Sequence, residues 1–189
     1  MKKQSIFFTA CMILLVLVAF SEREPVEEKS FKTSFINTLK NAKAYTIEVA
    51  NKMPEEEYTF RPHDSVRSFG EQMAHIAMST NFMHTMFIKG EPMKFDPVEG
   101  AKMEKEVGAS KAACIEHLNK TFDDAISKLE SMSNNDLQQT FVFPFLPDKP
   151  ELTKEEGYIF IRDHITHHRG QAITTLRIKG HEAPPYRAF

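Results

Sequence analysis

The stretch Asp163-His164-Ile165-Thr166-His167-His168-Arg169-Gly170-Gln171 lies inside the last long helical pattern of the chain. His164 and His168 stand four residues apart, one helical turn, so both imidazoles leave the same face. On a helical wheel they fall about 40° apart, among Ile161, Ile165, Ala172 and Leu176 on the apolar side. His167 is turned about 100° from His168, towards the polar edge with Asp163, Thr166 and Thr174. Two neighbouring imidazoles on a core-facing side need partners, because neither ionises cheaply there. A divalent cation satisfies both at once, and imidazole suits zinc, nickel, iron or copper. The competing reading is a pair of core histidines hydrogen-bonded to side chains such as Gln72 or Thr175.

Working outward, the pattern around this stretch runs from Thr153 to Lys179. Thr153 and Glu156 have capping-box spacing at its start, and Gly180 then Pro184-Pro185 close its end. Three earlier segments have the same 3.6-residue periodicity. Between Pro25 and Met53, the residues Phe31, Phe35, Leu39, Ala42, Thr46, Val49 and Met53 form one apolar arc, and Pro54 stops it. Ser68 with Glu71 begins a second helix through Phe69, Met73, Ile76, Met83 and Phe87, ended by Gly90-Glu91-Pro92. His75 sits on the inner shoulder of that arc, where it can meet a facing helix. Ser110 caps a third segment reaching Met132, with Ile115, Leu118, Phe122, Ala125, Ile126 and Leu129 inward. Residues 91–109, with Pro92, Pro97, Gly100 and Gly108, read as a loop with room for one helical turn. The run from Phe141 to Pro147 reads as a packed irregular connection or a short edge strand. The expected class is therefore all-α, a four-helix bundle. Its long connections leave simple up-down-up-down order open.

The bundle brings a third histidine into play, and His75, His164 and His168 become the candidate metal ligands. Three protein ligands leave a position for water or substrate, as in catalytic rather than structural sites. No His-Glu-x-x-His motif is present. Glu71, one turn before His75, is a candidate general base or outer partner as well as a capping residue. Arg169 and Gln171 are candidates for orienting the ligands or an anion, and Arg169 equally for pairing with an acidic neighbour. His63, His84, His117 and His181 have ordinary structural readings. No individual catalytic residue is assigned.

The chain is 189 residues long, one domain by its length. Lys2 and Lys3 precede an apolar run from Ile6 to Phe20, and Ser21-Glu22-Arg23-Glu24 follow. Residues 1–21 are expected to be a signal peptide, or an N-terminal anchor if uncleaved, giving an exported or membrane-anchored protein. Without Lys2 and Lys3 the net charge of −2 becomes −4. No basic stripe remains to bind nucleic acid. Cys114 is then the one cysteine left and has no partner for an internal disulfide.

Three stretches together resemble a known family. They are Met53-Pro54-Glu55-Glu56-Glu57-Tyr58-Thr59-Phe60-Arg61-Pro62, then Val66-Arg67-Ser68-Phe69-Gly70-Glu71-Gln72-Met73-Ala74-His75, and His164-x-x-His167-His168-Arg169-Gly170-Gln171. Across about residues 27–185 the chain looks like the DinB-like, or YfiT-like, superfamily of metal-dependent enzymes. The resemblance implies a four-helix bundle, commonly a homodimer, with a divalent metal on His75, His164 and His168. It also implies thiol S-transferase-like chemistry on an unknown small substrate, since relatives include transferases and isomerases that use small thiols. Such thiols are scarce outside the cytoplasm, so export makes a hydrolase equally expected. The alternative from another class is a non-catalytic exported bundle that binds a metal or small ligand. A metal-free interaction bundle is the third.

Overall fold

The computed structural model describes residues 30–94 and 96–187. The expected signal segment, residues 1–21, lies outside them, as does the expected start of the first helix at Pro25. Four long helices carry the fold: α1 (Phe31–Lys52), α2 (Phe69–Met83), α4 (Lys111–Ser131) and α6 (Lys154–Ile178). α3 (Pro97–Gly108) and the one-turn α5 (Asn134–Leu137) are shorter. None of the described helices is long and apolar enough to cross a membrane.

The helix ends follow local chemistry. Ser68 accepts from Glu71 N while Glu71 accepts from Ser68 N, and Thr153 and Glu156 do the same, so both expected capping boxes form. Ser110 caps α4 through Ala113 N. α2 continues as a π-helical turn, His84–Lys89, which Gly90 closes in the left-handed region at φ 73°.

Residues 91–109 overturn the expected loop. Asp96 accepts from Val98 N and Glu99 N at 3.0 and 3.1 Å, and Pro97 takes the first helical position. Proline there loses no hydrogen bond and has the right φ, so it starts a helix rather than breaking one. The segment after α5 forms a two-stranded antiparallel hairpin, β1 (Thr140–Val142) with β2 (Glu151–Thr153), pairing Phe141 with Leu152. Phe143 N bonds Pro150 O at 2.8 Å just beyond it.

The bundle order explains the long connections. α1 packs against α4 and α6, and α2 packs against α4 and α6. Two of the three consecutive pairs of long helices therefore lie on diagonals, α1 opposite α2 and α4 opposite α6, while α2 and α4 are neighbours. A short hairpin turn cannot join diagonal helices, so the chain needs the spans 53–68 and 132–153. Leu39, Val49, Met73, Ile76, Leu118, Phe122, Leu129, Ile161, Ile165 and Leu176 meet in the middle, each fully or almost fully buried. Tyr58, in the first connection, is buried too, and its hydroxyl donates to Ala50 O at 2.7 Å.

α3 approaches α2 at two glycines. A Cβ on Gly70 would lie 1.8 Å from Gly108 O, and one on Gly108 would lie 2.6 Å from Glu71 N. Cys114 fills the same crossing, with its thiol 3.5 Å from Gly70 O and 3.3 Å from Val107 O. Burial first, and then Glu55, push that thiol up to about 12, so it packs and does not react.

Candidate metal centre

His75 projects from α2 and His164 and His168 from α6, two helices in direct contact. His75 Nε2 lies 3.1 Å from His168 Nε2 and 3.2 Å from His164 Nε2. One ligand atom from each of the three lies within 4.8 Å of the others. A tetrahedral cation with bonds of about 2.0–2.1 Å separates its nitrogen ligands by about 3.3 Å. The spacing and the donor set therefore fit a divalent cation. Among the described residues no carboxylate or thiol joins this cluster.

Charge state favours the same use. Burial, followed by the nearby His75, lowers His164 to about 4 and His168 to about 3. Both are neutral near pH 7 and keep a lone pair for a cation. Burying such groups without any bonded partner would be costly, and each of the three has one.

The partners form a directed chain. The Gln72 amide nitrogen lies 2.5 Å from His168 Nδ1, 3.3 Å from His168 O and 3.4 Å from Gln171 Oε1, so its two hydrogens serve three acceptors, the nearest being Nδ1. With Nδ1 accepting, the His168 proton sits on Nε2 and is donated to His75 Nε2. His75 Nδ1 then faces Glu104 Oε1 at 2.6 Å. Glu104 accepts in turn from Arg67, with Nε to Oε2 at 2.7 Å. Burial opposes its charge, but the bonds from His75 and Arg67 outweigh that and hold the carboxyl below its usual range.

Glu104 is the site residue that sequence reading missed, because it lies on α3, in the segment taken for a loop. Glu71, the expected candidate, is engaged elsewhere: it caps Ser68 and pairs with Arg61 at 2.5 Å. Arg169 has no acidic partner among the described residues. It is buried with its guanidinium 4.7 Å over the Tyr45 ring and 3.4 Å from Thr46 Oγ1. Gln171 meets His167 Nε2 at 2.7 Å on the exposed rim, and its Oε1 lies 3.4 Å from the Gln72 amide nitrogen that faces His168. His84, read as unremarkable, is fully buried beside Tyr158. His63 and His181 bond Ser65 and Glu57, and His117 is exposed.

The His164 side of the centre is apolar. Phe160 lies nearly parallel to the His164 ring at 6.4 Å, with Phe143 and Phe87 behind it. A separate hollow of about 420 Å³, lined by Glu48, Lys52, Pro184 and Arg187 among others, shares none of these residues, and the Glu48–Arg187 ion pair occupies its wall.

The chain is thus a helical bundle in which three imidazoles converge from adjacent helices, an arrangement that could hold a metal ion. Residues 38–172 match the DinB superfamily, and the chain belongs to that family. Solved structures share the fold. YfiT from Bacillus subtilis, described as "a probable metal-dependent hydrolase with an unusual four-helix bundle topology", superposes with a TM-score of 0.64 at 17% identity, covering 85% of this chain and 94% of its own. A DinB-like protein from Bacillus cereus gives 0.66 at 15% identity, with 81% and 95% covered. No curated protein matches the chain in sequence.

Proposed function

We propose that His75, His164 and His168 hold one divalent cation (zinc, nickel or iron) and that the chain is a metal-dependent hydrolase of a small substrate. The observation that carries this reading is the convergence of three neutral imidazole nitrogens from two packed helices. The likeness to YfiT supports the hydrolytic choice. When bound, such a cation supplies Lewis-acid polarisation of a carbonyl or a water. The protein's own groups do the rest. Gln72 orients His168, Glu104 orients His75, and the half-buried Phe160 ring flanks His164. Thiol S-transfer at the same centre is the second reading, supported by the family's small-thiol members. An exported location and a homodimer belong to the proposal as well, on the N-terminal pattern and the family resemblance.

Metal content is the first test. Purified wild type is expected to carry close to one divalent ion per chain, and His75→Ala and His168→Ala close to none. Unchanged stoichiometry in both variants would remove the basis for the reading. Turnover of an ester and amide panel, against a panel of thiol acceptors, then separates hydrolase from transferase. Metal-loaded protein inert to both panels would leave a binding bundle as the better description.

A further inference from the structure

We propose that Glu104 is a positioning residue of the metal centre: held by Arg67, it fixes His75 with its proton on Nδ1 and leaves Nε2 free for the cation. The inference rests on the metal-binding reading above and deepens it. Glu104 Oε1 is 2.6 Å from His75 Nδ1, and the two side chains are only 13% and 15% exposed. Water therefore competes weakly for either group. An ionised carboxylate can only accept, so His75 Nδ1 must donate to it. The other nitrogen is then a lone-pair donor, and it is the nitrogen that faces both His164 and His168.

Arg67 keeps the arrangement from being a loose surface contact. It binds the second oxygen of the same carboxylate, and its charge offsets that of Glu104, so both oxygens are committed. Backbone geometry sets the distance. Glu104 lies one turn before Gly108, and the Gly70–Gly108 crossing lets α3 come close enough to α2 to reach His75. A carboxylate on the remote nitrogen raises the basicity of a ligating imidazole and locks its ring orientation. Of the three candidate ligands, His75 is the one bonded to a carboxylate among the described residues. His168 has a neutral amide instead, from Gln72.

Two measurements on the full chain test the role. Competition for Co2+ against a chromophoric chelator is expected to show affinity weakened about 10- to 100-fold in Glu104→Ala, with an altered visible Co2+ spectrum. Glu104→Gln, whose amide oxygen still accepts, is expected to recover most of the affinity and the wild-type spectrum. In metal-free protein, nitrogen NMR is expected to find the His75 proton on Nδ1 in wild type and shifted towards Nε2 in Glu104→Ala. If Glu104→Ala does not fold, Arg67→Ala takes its place, with the same direction and a smaller change. Wild-type affinity together with an unchanged His75 tautomer in the variant overturns the role of Glu104 alone. A wild-type protein that takes up no Co2+ overturns the metal-centre reading instead, and the tautomer measurement still decides what Glu104 does.

Discussion

Gly70 and Gly108 touch backbone to backbone: the position a Cβ would take on Gly70 is 1.8 Å from Gly108 O. The obstacle is a carbonyl group in a packed helix crossing, which no side-chain rotation can relieve. Gly70→Ala is therefore expected to destabilise the fold by about 3 kcal/mol or more, and Gly108→Ala by a similar amount. Gly170, in the middle of the histidine motif, has open space where a Cβ would go. Gly170→Ala should be neutral or stabilise α6 by up to about 1 kcal/mol. Urea midpoints of the three variants check this, and a Gly70→Ala midpoint equal to wild type would contradict the close crossing.

Gln72 presents amide hydrogens to a nitrogen that must become a donor once His168 Nε2 binds a cation. Loading the site thus requires the His168 proton to move to Nδ1 and the Gln72 amide to turn its oxygen there. Gln72→Glu supplies an acceptor permanently and should tighten Co2+ binding several-fold. The same variant should lower metal-free stability by about 1–3 kcal/mol, because the new carboxylate faces His168 O and Gln171 Oε1. Gln72→Leu should weaken binding. Calorimetric titration and metal-free melting read the two effects separately.

His84 should make the protein acid-sensitive independently of the metal. It is 1% exposed, with its Nε2 3.4 Å from the Tyr158 hydroxyl. Burial, then Lys89 and Lys128 against the opposing Asp124, lower it from 6.5 to about 4. The unfolded chain therefore binds this proton more readily than the folded one. Stability is intact above about pH 6.5, falls as the pH drops towards 4, and levels off below that. The loss assignable to His84 is about 3 kcal/mol at most. In EDTA, His84→Gln should show a smaller drop between pH 7.5 and pH 4.5 than wild type. Equal drops would place the acid sensitivity elsewhere.

Local rules carried most of the fold. Ser68–Glu71 and Thr153–Glu156 are chemical signatures that act within one turn, and both appear as capping boxes. The separation of His164 and His168 from His167 follows from helical periodicity alone, and the rim position of His167 is observed. Two other features depend on distant partners and left no periodic trace. α3 buries only Gly108 fully, so its pattern lacks an apolar stripe, and Pro97 disguised a helix start as a break. Glu104 could have been found by asking which carboxylate lies one turn from a glycine able to approach Gly70. The burial of His84 depends on Tyr158, 74 residues away, and nothing near His84 in the chain announces it.

The diagonal order of the helices also has a kinetic side. His75 and His164 are 89 residues apart, and their helices become neighbours only after the chain has passed through α4 and the hairpin. Contacts of such high sequence separation require a large loop to close before they return any stabilisation, which slows folding. A ribosome-bound fragment ending before α6 has one of the three nitrogens and cannot chelate. On the proposed metal reading, acquisition is thus a late event by topology, and a cation would not template the early stages of folding; it would only hold closed a bundle that has already met itself.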